Sequence, residues 1–251
     1  MGVSGAGDGG GGPIPKALRA EWKIDRFYTR YTDAGGVPVV ASRRVCPRAL
    51  SVAARIVLGM TVNRPQIRAE LVKARIRVAV IGKTELPSDL PEYTSMRREG
   101  MHWNFRGRGF GPTRDHPVTS CGEENVLRLR GDAWPQESVL VHEFAHAIMD
   151  FGLPKIDPQF ERRLHRLYTT AVGRGLWVNT YAATNWGEYW AEGVQSYFDA
   201  NPFRWIADGI HNGIDTRAKL RRYDPALYRL IDESLHSPKW SWQQTLPAIR
   251  S

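Results

Sequence analysis

Two histidines, His142 and His146, stand four positions apart in the stretch VLVHEFAHAIMDFG (residues 139–152), and Glu143 follows directly after the first. On an α-helix, residues four apart lie on one face a turn apart, so both imidazoles can direct a ring nitrogen at one ion. Glu143 then stands beside the ion, where a carboxylate can take a proton from a metal-activated water. The competing possibility is a buried helix with two hydrogen-bonded histidines and a surface glutamate. Val139, Leu140, Val141, Phe144, Ala145 and Ile148 make the surroundings apolar. An unpartnered Glu143 there would be costly, which favours the metal reading.

A catalytic zinc site takes three protein ligands and keeps one position open. The extension of this pattern through a glycine to a third histidine is absent, because HEFAHAIMDFG runs on into LPKIDPQ. A downstream carboxylate is therefore required. The segment NTYAATNWGEYWAEGVQSYFD (residues 179–199) offers Glu188 and Glu192, four apart and so on one helix face. Geometry alone permits either. Glu188 could instead complete a capping box begun by Asn185, and Glu192 could be an exposed helix charge. Acids in so aromatic a helix need partners, which favours a role at the metal for both.

The elements that must carry these residues follow from composition and periodicity. With 251 residues, 42% of them hydrophobic, the chain can build a core without staples. The formal charge of +9 is spread among acids with no long basic run. A nucleic-acid module, which would show salt-dependent binding, is not favoured. No stretch approaches the length of a membrane span, no apolar leader opens the chain, and Ala6 breaks the myristoylation pattern. Residues 1 to about 18 read as a Gly/Pro-rich tail without fixed structure. The remainder, 19–251, reads as one domain of α+β class: an α/β half (19–134) followed by a helical half (135–251). In the first half a hairpin is predicted from DRFYTRYT and VPVVAS around Asp33-Ala34-Gly35-Gly36. A helix is predicted over 47–61, a short one around 65–74, and strands at RIRVAVIG, HWNF and NVLRLR. In the second half helices are predicted over about 136–150, 158–173, 186–199 and 225–235, the first stopped by Gly152 and Pro154. Two cysteines, Cys46 and Cys121, are too few for a disulfide framework, but if the protein is secreted they are expected to pair.

HEFAHAI followed by YAATNWGEYWAEG resembles the gluzincin metallopeptidases, specifically the lethal factor catalytic domain and the Pro-Pro endopeptidases. In those proteins a tyrosine precedes the glutamate ligand by seven residues and the glutamate begins an E-aromatic-aromatic-A-E pattern. Tyr181, Glu188 and EYWAE match this spacing. The resemblance is specific over residues 136–199. Over roughly 20–135 it is a likeness of general order that includes SCGEENVL. It implies a zincin-like fold and one zinc per chain held by His142, His146 and Glu188. It further implies Tyr181 over the substrate carbonyl and Glu192 as an acid behind the ligands.

The expected activity is zinc-dependent hydrolysis of a peptide or protein, with Glu143 as general base and the Tyr181 hydroxyl as oxyanion donor. Glu192 would orient a ligand imidazole by accepting its second N–H. The alternative is a zinc-binding protein of the same fold that recognises peptides without cleaving them. Substrate is expected to pair along a strand edge within MHWNFRGRGFG. Neither nucleic acid nor membrane is expected as a partner. A monomer and an extracellular location are expected.

Overall fold

The computed structural model describes residues 10–95 and 107–245. Five strands form one mixed sheet in the order β1-β2-β3-β5-β4. They are β1 (Arg30–Ala34), β2 (Val37–Ala41), β3 (Arg77–Ile81), β4 (Gly109–Phe110) and β5 (Val118–Gly122). The first pair is the expected hairpin, with Gly35 and Gly36 both at positive φ in its turn. β2, β3 and β5 run parallel, and β4 closes the far edge antiparallel to β5. The parallel strands are buried on both faces, as parallel sheets require. Val39, Val78, Val80 and Cys121 face a large cluster shared with the helices. Val40, Ala79, Ile81 and Val118 face a smaller one.

The smaller cluster corrects the reading of the N-terminus. Ile14 and Trp22 are buried in it, Gly12 bridges Tyr31 at the edge of β1, and a short helix α1 (Lys16–Glu21) begins inside the expected tail. The open sheet face needs a cover, and this segment supplies it. Residues 1–9 lie outside the described residues.

α2 (Pro47–Met60) and α3 (Pro65–Lys73) form where the periodicity places them, each with proline in its first turn. NVLRLR is not a strand. The strand lies just before it, at VTSCG, and α4 (Glu123–Leu127) follows, ended by Arg128 in the left-handed region. Local β-propensity loses here to the demand for acceptors. Glu123 accepts the backbone N–H groups of Cys46 and Lys83, and Glu124 accepts a forked pair of bonds from Arg108. The expected HWNF strand lies outside the described residues.

The second half is helical: α5 (Val139–Ala147), α6 (Leu153–Ile156), α7 (Phe160–Gly173), α8 (Trp186–Tyr197), α9 (Arg217–Tyr223) and α10 (Pro225–Leu235). α9 was not anticipated. Gly152 and Pro154 do not stop the first helix. A π-turn over Ile148–Gly152 joins α5 to α6, and Gly152 is right-handed. Pro154 lacks an N–H and crowds the carbonyl four residues back, and a widened turn before it relieves both faults. The rod ends at Asp157, held extended by Pro158. Both halves feed the same large cluster, which runs from Ala34 to Trp242. Among the described residues no helix is long and apolar enough to cross a membrane.

Cys46 and Cys121 are both free, which corrects the expected pairing: Cys46 precedes α2 on the surface and Cys121 is sealed inside β5. Burial pushes the Cys121 thiol well up, with Glu124 and Glu143 adding to the shift. Native protein should therefore alkylate quickly at Cys46 and at Cys121 only after denaturant is added. A non-reduced sample with no titratable thiol would contradict this arrangement.

Candidate metal centre

Three contacts place the histidine helix. Ser138 caps α5 by accepting from Val141 N at 3.3 Å, which ties down an otherwise unpaired donor. Asn125, buried in α4, accepts from Val139 N at 2.9 Å and donates to the carbonyls of Trp134 and Glu137, so the loop before α5 is held from within. From the other side, fully buried Trp190 of α8 donates its indole N–H to Ala145 O at 2.9 Å. Removing such an aromatic side chain from a core typically costs about 3–5 kcal/mol. This bond also fixes the offset between the helix of the histidines and the helix of the acids.

At that offset Glu188 Oε2 lies 3.0 Å from His142 Nε2 and 3.4 Å from His146 Nε2, and the two Nε2 atoms are 3.3 Å apart. Among the described residues, His142, His146 and Glu188 are the only group of three or more such side chains able to hold one ion. The capping box is only half present. Asn185 accepts from Glu188 N at 2.9 Å, but the Glu188 carboxylate turns to the histidines.

The tautomer of His142 follows from its other nitrogen. Nδ1 lies 2.8 Å from Gln195 Oε1, and Gln195 Nε2 faces Glu137 Oε2 and Ser138 O, both acceptors. Gln195 thus presents its oxygen, so Nδ1 carries a proton. A neutral ring then aims the Nε2 lone pair at a carboxylate 3.0 Å away, which is repulsive unless positive charge, a proton on Nε2 or a metal ion, stands there. The surrounding acids favour positive charge at this point. Burial opposes charge on His142, but Glu188 as hydrogen-bond partner and the charges of Glu143, Glu192 and Glu188 outweigh it and raise its pKa to about 10. Burial would raise Glu188, yet the hydrogen bonds and charges of both histidines hold it well below the usual carboxylate range. Two imidazole nitrogens and one ionised carboxylate oxygen suit zinc, and the residues fit such an ion.

Glu143 lines the same cleft, a cavity of about 490 Å³. Burial raises its pKa, against the pull of His142 and His146. Across the cleft, β4 comes so close to α5 that a Cβ on Gly109 would stand 2.4 Å from Val139 Cγ1 and 2.7 Å from Ser120 O. A Cβ on Gly111 would stand 3.1 Å from His146 Cβ. Tyr181 borders the opening, its ring stacked on His142 with centroids 6.2 Å apart. Burial and the Glu188 and Glu143 charges push its hydroxyl up to about 12. Its backbone N–H donates to Ile210 O at 2.8 Å, and the segment before it is anchored by Trp177, whose indole donates to buried Asp224.

Glu192 stands farther from the ligands than expected of an imidazole acceptor. Its Oε1 is 3.6 Å from His142 Nδ1, and Gln195 occupies the hydrogen-bonding position. Sequence reasoning missed Gln195, although Glu188, Glu192 and Gln195 form one stripe at helical spacings of four and three. It also missed Asn125, Glu137 and His211, which approach from loops or from outside the motif and leave no periodic signal.

Fold and site together define a zincin-like α+β architecture with a His-His-Glu cluster. Among solved structures the chain matches the Pro-Pro endopeptidase PPEP-2 from Paenibacillus alvei, with 14% identity and a TM-score of 0.52. The match covers 78% of this chain and 96% of that one. No protein-family model and no curated protein sequence matches it.

Because Glu188 supplies the only carboxylate among the described residues in reach of both Nε2 atoms, Glu188→Ala should abolish stoichiometric metal retention through dialysis. Glu192→Ala should weaken retention far less. Elemental analysis of the two dialysed variants checks this, and the reverse ranking would contradict the ligand assignment.

Proposed function

We propose that this protein is a zinc-dependent endopeptidase of gluzincin type, holding one zinc through His142, His146 and Glu188. The observation that carries this reading is the convergence of those three donor atoms beside Glu143 in one cleft. The match to a solved endopeptidase over most of the chain supports it. When bound, zinc supplies a Lewis acid that polarises a peptide carbonyl and acidifies a water molecule.

The chain's own residues supply the remaining chemistry. The substrate backbone lies along β4, which pairs with β5 on one side and, among the described residues, is the last strand of the sheet on the other. Gly109 and Gly111 let that strand approach the histidine helix, so a peptide paired to it passes over Glu143 and His146. Glu143 accepts a proton from the attacking water and returns it to the leaving nitrogen. Its raised pKa narrows the gap to neutrality, which suits a group that must both take and give up a proton. Tyr181, with a pKa of about 12, keeps its hydroxyl proton at neutral pH and donates a hydrogen bond to the carbonyl oxygen as that oxygen gains charge.

Glu143→Gln keeps size and polarity but cannot take a proton, so it should retain zinc and lose almost all peptide hydrolysis. Tyr181→Phe should lower kcat on the order of a hundredfold with zinc content unchanged. A peptide library digested by wild type and both variants is the test. If zinc-loaded wild type cleaves nothing while all three proteins bind peptides equally, the cleft is a recognition site and the peptidase reading is wrong.

A further inference from the structure

Behind His142 five side chains close into a ring. His142 Nδ1 lies 2.8 Å from Gln195 Oε1, and Gln195 Nε2 donates to Glu137 Oε2 at 3.3 Å. Glu137 Oε2 lies 3.4 Å from His211 Nε2, and His211 Nδ1 lies 3.5 Å from Glu192 Oε2. Glu192 Oε1 returns to His142 Nδ1 at 3.6 Å, closing the circuit. The members come from four places: Glu137 from the loop before α5, His142 from α5, Glu192 and Gln195 from α8, and His211 from the loop after it.

Two carboxylates drawn this close repel each other and lose hydration, so they need a cation. Among the described residues neither Glu137 nor Glu192 pairs with a lysine or arginine, and imidazoles are their only cationic partners. His142 shares one of these contacts but must keep a lone pair for the ion. His211 has no such duty. It is 7% exposed, and each of its nitrogens faces one of the two acids. Nδ1 has no hydrogen-bond partner, so its contact with Glu192 is an ion pair across 3.5 Å. Asn201 holds the same Glu192 oxygen, donating from Nδ2 at 3.2 Å.

Resting on the metallopeptidase reading, we propose that His211 is a positioning residue for the metal centre. As a cation between Glu137 and Glu192 it clamps both acids, and through them Gln195, so that the His142 ring is held with its Nε2 toward the ion. Burial disfavours charge on His211, but the two carboxylates it faces, Glu137 and Glu192, outweigh it and raise its pKa to about 9, consistent with this role. Partners behind a metal-bound imidazole typically matter about 10–100-fold in metal affinity.

The experiment compares zinc dissociation constants, by competition with a chromophoric chelator, for wild type, His211→Gln and the double variant Glu137→Gln/His211→Gln. His211→Gln should weaken zinc binding by about 10–100-fold. The double variant removes an acid together with its cation and should recover most of that loss on a logarithmic scale, a rescue that a merely space-filling His211 would not show. Wild-type affinity in His211→Gln, or a double variant that binds zinc no more tightly than His211→Gln, would overturn the proposal. Should His211→Gln fail to fold, the double variant decides alone: near wild-type affinity upholds the clamp and a large loss refutes it. If wild type binds zinc and cleaves peptides while His211→Gln matches it, only the clamp falls. If wild type binds no zinc, the metallopeptidase reading falls and the clamp with it.

Discussion

The position of one proton, on Nδ1 of His142, governs what the cleft can do. While Gln195 Oε1 holds it there, Nε2 offers a lone pair to the point where His146 Nε2 and Glu188 Oε2 also converge. Were the ring turned or the tautomer reversed, the same three residues would form a hydrogen-bonded cluster instead of a ligand set. The chain spends much of its buried polarity on preventing this. The oxygen of Gln195 is directed by the two acceptors behind its amide nitrogen, and Trp190 fixes the relative height of α5 and α8.

The sheet side of the cleft is held with similar care. Arg108, directly before β4, bonds to both oxygens of Glu124 and to the carbonyls of Gly82 and Glu85, so the start of the edge strand is pinned to the ends of the central strands. Glu85 in turn accepts from Ser42 Oγ and Gly82 N. A strand so short has little pairing of its own to fix its register. The guanidinium replaces that pairing with charge-assisted bonds in a partly buried setting, where they are stronger than at the surface.

What could be read in the sequence, and what could not, follows from how far each residue's role depends on distant parts of the chain. The hairpin, α2, α3 and β3 carry their own turn residues, prolines and apolar periods, and they form where those signals place them. His142, His146 and Glu143 are fixed by helical spacing alone. Glu188 needed the family resemblance, because Glu192 shares its helix face. NVLRLR misled because its alternating apolar residues resemble a strand, whereas Glu123 and Glu124 just before it serve donors 40 and 16 residues away. The end of the expected tail, residues 10–18, misled for a related reason. Composition argued for an unfolded tail, but the uncovered sheet face draws Ile14 into its cluster. Gly152 and Pro154 carry correct local signals of a helix end, and the π-turn lets the helix pass them. His211 and Glu137 were invisible, since a loop residue's burial beside another loop has no period.

The central claim is that His142, His146 and Glu188 together hold one divalent cation with Glu143 beside it. Anomalous diffraction at the zinc absorption edge, from crystals grown with one equivalent of zinc, tests it most directly. One strong peak per chain is expected, within about 2.0–2.2 Å of His142 Nε2, His146 Nε2 and a Glu188 carboxylate oxygen. A peak at other side chains, or none above background at these three, would contradict the account.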